Sequence, residues 1–116
     1  MKYKFTCPIF DDEIYLIVGN SSEAKKFVKG FEVTDKHNGK CVEIEDVKSE
    51  TACGFLVWVN RSDNYYTMVH ECLHLVNMIF KFHGIPFTSD NDEIIAYYQN
   101  YWVRKFWNKM SKEIKK

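Results

Sequence analysis

His70, Glu71 and His74 stand in the middle of the apolar run "YYTMVHECLHLVNMIFKFHG", residues 65–84 of a 116-residue chain. Burying three such groups without partners would cost roughly several kcal/mol, so their order needs a chemical reason. That order is H-E-x-x-H. On a helix, positions i and i+4 share a face, with about 6 Å between β-carbons. Two imidazoles so placed can reach one Zn²⁺ at about 2.0–2.1 Å. Glu71 is rotated by about 100° from His70, beside a metal rather than on it. A carboxylate there can hydrogen-bond a zinc-bound water and take its proton. A hydrolytic zinc site needs a third protein ligand and keeps a fourth position for water. Glu93 is the candidate, with eighteen residues between it and His74.

These residues need a scaffold. "KYKFTCPIF" and "DEIYLIVG" read as short strands rich in aromatic and β-branched residues. In "SSEAKKFVKGF", Ser21 or Ser22 can cap a helix with Ala24, Phe27 and Val28 on its apolar side, closed by Gly30. Asn38-Gly39 marks a turn between extended pieces. "KCVEIEDV" alternates as a half-buried strand through Val42, Ile44 and Val47. "CGFLVWVN", residues 53–60, is apolar throughout, as expected either of a strand covered on both faces or of an edge strand that offers its backbone to a ligand. Ser62, Asp63 and Asn64 are all good N-caps for a helix from Tyr65 to Phe82, which Gly84 and Pro86 close. That helix is apolar on most of its circumference, which predicts a central position. A second helix starts near Asn91 or Asp92, after the "GIPF" reversal, with an apolar face of Ile94, Tyr97, Tyr98, Tyr101, Trp102 and Phe106. The expectation is one α+β domain over residues 1–116, with a small, mostly antiparallel sheet from the first sixty residues packed against a layer holding both helices.

H-E-x-x-H, eighteen residues and then Glu, preceded by an apolar strand, resembles the gluzincin class of zinc metallopeptidases. Residues 54–102 carry the resemblance, and the shortness of the chain is similar to small single-domain gluzincins and to compact H-E-x-x-H proteins of bacteriophages. The resemblance implies one zinc held by His70, His74 and Glu93, with Glu71 as general base and proton shuttle. It implies that the strand at 54–59 pairs with an extended peptide substrate. It also implies a Tyr or His that stabilises the oxyanion. Tyr97, one turn past Glu93, fits best, ahead of Tyr98 and His83. The metzincin extension is missing, because Asn77 and Phe80 stand where Gly and His would be needed.

Each residue also has a plainer reading. Glu71 can form a buried ion pair, with Arg61 or Arg104. Glu93 fits a capping box with Asp90, and acids favour the first helical turn. Cys72 lies about 160° from His74 around the helix, as a small buried hydrophobe would. His37 reads as a surface residue in a polar turn, and His83 as a partner of the helix C-terminus. The aromatic set of the last helix reads as core. With 16 basic and 16 acidic residues, nothing demands nucleic acid or an anionic membrane as partner. Four cysteines without a C-x-x-C pair, no apolar leader and no span of membrane length point to a reducing cytoplasm, that of the host if the chain is phage-encoded. The competing function is a zinc protein that cleaves nothing and binds a host or phage protein. Glu71 favours the enzyme, since a purely structural zinc needs no base.

Overall fold

A computed structural model describes residues 1–27, 33, 36–45 and 53–114. The order of elements is β1 (Lys2–Thr6), β2 (Glu13–Val18), α1 (Ser21–Phe27), β3 (Gly39–Glu45), β4 (Cys53–Val59), α2 (Tyr65–Phe82) and α3 (Asp92–Ile114). The fold is α+β, with every described strand in the first sixty residues. Gly30 and Val47 fall outside the described residues.

One sheet runs β1-β2-β4-β3. β1 and β2 are antiparallel, with Lys2 opposite Ile17 and Thr6 opposite Glu13. β3 and β4 are antiparallel, with Gly39 opposite Val59. The central pair, β2 and β4, is parallel, Glu13 beside Gly54 and Val18 beside Val59. The apolar run of β4 is explained by this position: it is hydrogen-bonded on both sides, and Phe55 to Val59 are all buried. Peptide pairing along 54–59 is therefore corrected, because β2 and β3 already occupy both edges of that strand. Among the described strands, β1 and β3 are the outer two.

Alternation along the strands divides the core in two. Ile14, Leu16, Val18, Phe55, Val57 and Val59 face α2 and α3. Ile17, Leu56 and Trp58 face the other way, onto Ala24 of α1 and Val33. The cap of α1 is neither Ser21 nor Ser22: the Asn20 side chain accepts from the Glu23 N–H at 2.9 Å. An amide oxygen three residues ahead of an open N–H outcompetes the serines that follow it.

α2 has the expected bounds, and of the three candidate caps Asn64 serves, accepting from Thr67 N–H. Gly84 leaves the helix with φ +77°, a left-handed backbone that glycine adopts without strain. The helix is not wrapped on all sides. Met68, Glu71, Cys72, Leu75, Val76, Ile79 and Phe80 are buried, while Tyr66, His70, Leu73, His74 and Asn77 form an exposed stripe. On α3 the buried face is Ile95, Tyr98, Trp102, Phe106 and Met110. Tyr98, Trp102 and Phe106 of the expected face are buried, while Ile94 and Tyr97 are 60% and 69% exposed and Ile95 is buried in place of Ile94. With isoleucine at both 94 and 95, composition leaves the phase open by about 100°, and packing on α2 sets it.

Candidate metal and catalytic site

Two elements build the site. α2 presents His70 and His74 on its exposed stripe and Glu71 at the margin of its buried face. The start of β3 approaches the same stretch of helix. A β-carbon on Gly39 would lie 2.5 Å from Thr67 Cγ2, 2.9 Å from the Trp58 carbonyl oxygen and 3.2 Å from Glu71 Cγ. Only glycine allows the edge strand so close to the helix. Beside this close approach opens a cleft of about 340 Å³ lined by Asn38, Gly39, Tyr66, Thr67, His70 and Glu71.

The two imidazoles turn the same nitrogen toward each other: His70 Nε2 and His74 Nε2 are 3.2 Å apart, one ring N–H donating to the other ring. The same spacing fits chelation. A zinc about 2.05 Å from both nitrogens would subtend about 100° between them, close to tetrahedral. The donor chemistry fits zinc as well.

Glu71 is 7% exposed and accepts no hydrogen bond from the described residues. It forms no ion pair with them either: Arg61 is engaged with Asp63, Nε to Oδ1 at 3.2 Å. Burial raises its pKa above the ordinary 4.5, opposed by the nearby His74 and His70. Among the described residues no donor explains this carboxyl group, and Glu71 lines the cleft.

The other candidates are dispersed. Glu93 is exposed in the first turn of α3. It lies about 160° around the helix from the buried stripe, at about 100° per residue. Among the described residues, no three His, Cys, Asp or Glu side chains gather as a metal site, so Glu93 is not brought to the histidine pair. Tyr97 shares its outer face. Tyr98 and His83 are engaged elsewhere. Tyr98 is buried against the Cys7 thiol, and its hydroxyl pKa is raised by burial and then by that neighbour. His83 bonds the nearly buried Asp12, Nε2 to Oδ2 at 2.6 Å, and stacks on Phe10 with ring centroids 4.1 Å apart. Cys72 is fully buried, and burial pushes its thiol pKa up, as for Cys41. Neither thiol is a ready nucleophile or ligand.

Sequence reasoning missed two features here. One is the Asp12–His83 bond, which ties the β1–β2 loop to the end of α2 across 71 positions. The other is a run of bonded asparagines beside the cleft. In the sequence Asn38 reads only as a turn residue, and Asn60 carries no signal at all. Comparisons with protein-family models, curated proteins and solved structures return no match. Among the described residues no helix is long and apolar enough to cross a membrane.

Proposed function

We propose that this protein is a zinc-dependent peptidase centred on His70, Glu71 and His74. One observation carries the proposal: two imidazole nitrogens at chelating distance beside a largely buried glutamate that lines the cleft and whose carboxylate no described residue hydrogen-bonds. His70 and His74 would hold the zinc, and Glu93, which the sequence spacing proposes as third ligand, would have to turn toward them from the outer face of α3. Zinc in such a site supplies Lewis-acid polarisation of a carbonyl and makes water a nucleophile at neutral pH.

The chain's own groups account for the remaining chemistry. Glu71 would take the proton of the attacking water and return it to the leaving amine. Its burial supports this role, since a raised proton affinity brings a carboxylate closer to what a general base needs near neutrality. β3, an outer strand among the described ones, begins beside the cleft at Gly39, where an extended peptide would lie alongside it. Tyr97, proposed as oxyanion donor from the sequence, would have to turn inward together with Glu93, because α3 holds it on its outer face.

The test is hydrolysis of casein peptides by the zinc-loaded chain and by Glu71→Gln. The expected result is cleavage by the wild type and a loss of about 10²-fold or more in the variant, with zinc content unchanged. Bound zinc with no cleavage of any peptide would overturn the peptidase reading and favour the protein-binding alternative.

A further inference from the structure

Three asparagines join the two walls of the cleft. The Thr67 N–H donates to Asn64 Oδ1 at 3.3 Å. Asn64 Nδ2 donates to Asn60 Oδ1 at 2.9 Å, and Asn60 Nδ2 donates to Asn38 Oδ1 at 3.2 Å. A backbone bond, Asn60 N–H to the Asn38 carbonyl at 2.8 Å, runs beside the last link. The relay therefore spans the N-cap of α2, the residue after β4 and the residue before β3.

Its direction is determined. Oxygen and nitrogen of an isolated side-chain amide are interchangeable in outline, and only the bonding network assigns them. Here the chain starts at a backbone N–H, which can only donate. Asn64 must then present oxygen to Thr67 and its NH₂ to Asn60. Asn60 must present oxygen to Asn64 and its NH₂ to Asn38, and Asn38 must present oxygen to Asn60. The terminal NH₂, that of Asn38, is donated to no described residue. Asn38 lines the cleft with His70 and Glu71. An amide that could have turned either way is thus held as a donor.

We infer that the relay makes Asn38 Nδ2 a substrate-binding donor for a peptide carbonyl of a chain lying in the cleft, with Asn60 as the positioning residue that fixes its direction. The inference rests on the peptidase reading and names an interaction of that same site. The chemistry on the two sides of the cleft is complementary: Glu71 accepts protons on the helix wall, and Asn38 donates on the strand wall. A carbonyl matches the donor, whereas a ligand group that only donates would meet no acceptor at Asn38.

Asn38→Asp is the discriminating variant. Aspartate keeps an oxygen for Asn60 Nδ2 and removes the NH₂, so the relay persists while the donor is lost. Asn60→Asp keeps the acceptor for Asn64 and removes the donor that holds Asn38. With the zinc-loaded chain and casein peptides, Asn38→Asp should raise KM about tenfold with kcat nearly unchanged, the pattern expected when ground and transition states are deprived of the same hydrogen bond. Asn60→Asp should raise KM in the same direction by less. Side-chain amide exchange, read by NMR without any substrate, should show the NH₂ protons of Asn60 and Asn64 protected and those of Asn38 exchanging freely. Unchanged KM in Asn38→Asp overturns the substrate interaction. Free exchange at Asn60 and Asn64 overturns the relay, whatever the activity. No hydrolysis by the wild type overturns the peptidase reading and the substrate interaction with it, and protected Asn60 and Asn64 would then show that the relay itself stands.

Discussion

Glu71→Gln should make the metal-free protein more stable while it removes activity. Glu71 as a residue is 7% exposed, it lines the cleft, and its carboxylate meets no donor among the described residues. An ionised group in that setting costs several-fold more to bury than a neutral amide of the same shape, although the amide also lacks partners. A gain of about 1–2 kcal/mol is the reasonable scale for relieving such a site. At the unfolding entropy typical of a chain this long, that is about 4–8 °C in Tm. The pH dependence has a definite sign. Burial raises the folded pKa of Glu71 above 4.5, so the native state holds this proton more tightly than the unfolded state. Its contribution to stability is fully present below the unfolded pKa and is lost as pH rises through the folded pKa. The advantage of the glutamine variant should therefore be small near pH 4, grow as pH rises through the folded pKa, and then level off. Thermal unfolding in a chelator from about pH 4 to 8 measures it, a range that brackets an ordinary and a raised Glu pKa. A variant less stable than the wild type at pH 7, or a gap that shrinks as pH rises, would refute the reasoning. Zinc bound by the two histidines favours the ionised carboxylate, so loading both proteins with zinc should narrow the gap.

Gly39→Ala places a methyl group 2.5 Å from Thr67 Cγ2 and 2.9 Å from the Trp58 carbonyl. It should destabilise by about 1–3 kcal/mol in urea unfolding, with only partial rescue by Thr67→Ser because the carbonyl stays. His83→Ala strands Asp12, which is 8% exposed, and should cost about 3 kcal/mol at pH 7. The same measurement on Asp12→Asn/His83→Gln should recover part of that loss, since the pair is then neutral. Asn64→Ala removes the cap of α2 and the head of the asparagine relay, and should cost about 1 kcal/mol or more in thermal unfolding. An Asn64→Ala protein as stable as the wild type would mean that the cap is not formed.

Local signals were readable in the sequence and long-range ones were not. α2 could be bounded to the residue because Asn64 and Gly84 mark its ends by chemistry that acts over three or four positions. The apolar run of β4 announced burial, but it could not say whether the strand was central or at an edge, because the pairing partners lie some forty residues back at β2 and across the β3 connection. The largely apolar circumference of α2 predicts a central position, yet Tyr66 is 87% exposed on the same stripe as the histidines. The motif itself was legible, since i, i+4 spacing on a helix nearly determines the Nε2 pairing. Glu93 was offered by spacing alone, and an acid in the first turn of α3 also has the helix dipole to explain it. The asparagine relay left no sequence signal, as its members are joined only once β3, β4 and the cap of α2 have assembled.

Zinc stoichiometry of the purified chain tests the central claim most directly, with wild type, His70→Ala, His74→Ala and Glu93→Ala measured together. About one zinc per chain in the wild type, lost in both histidine variants, is the predicted result. Loss in Glu93→Ala as well would make Glu93 the third ligand, and retention there would move that ligand to another residue. A wild-type chain that holds no zinc after reloading would contradict the account.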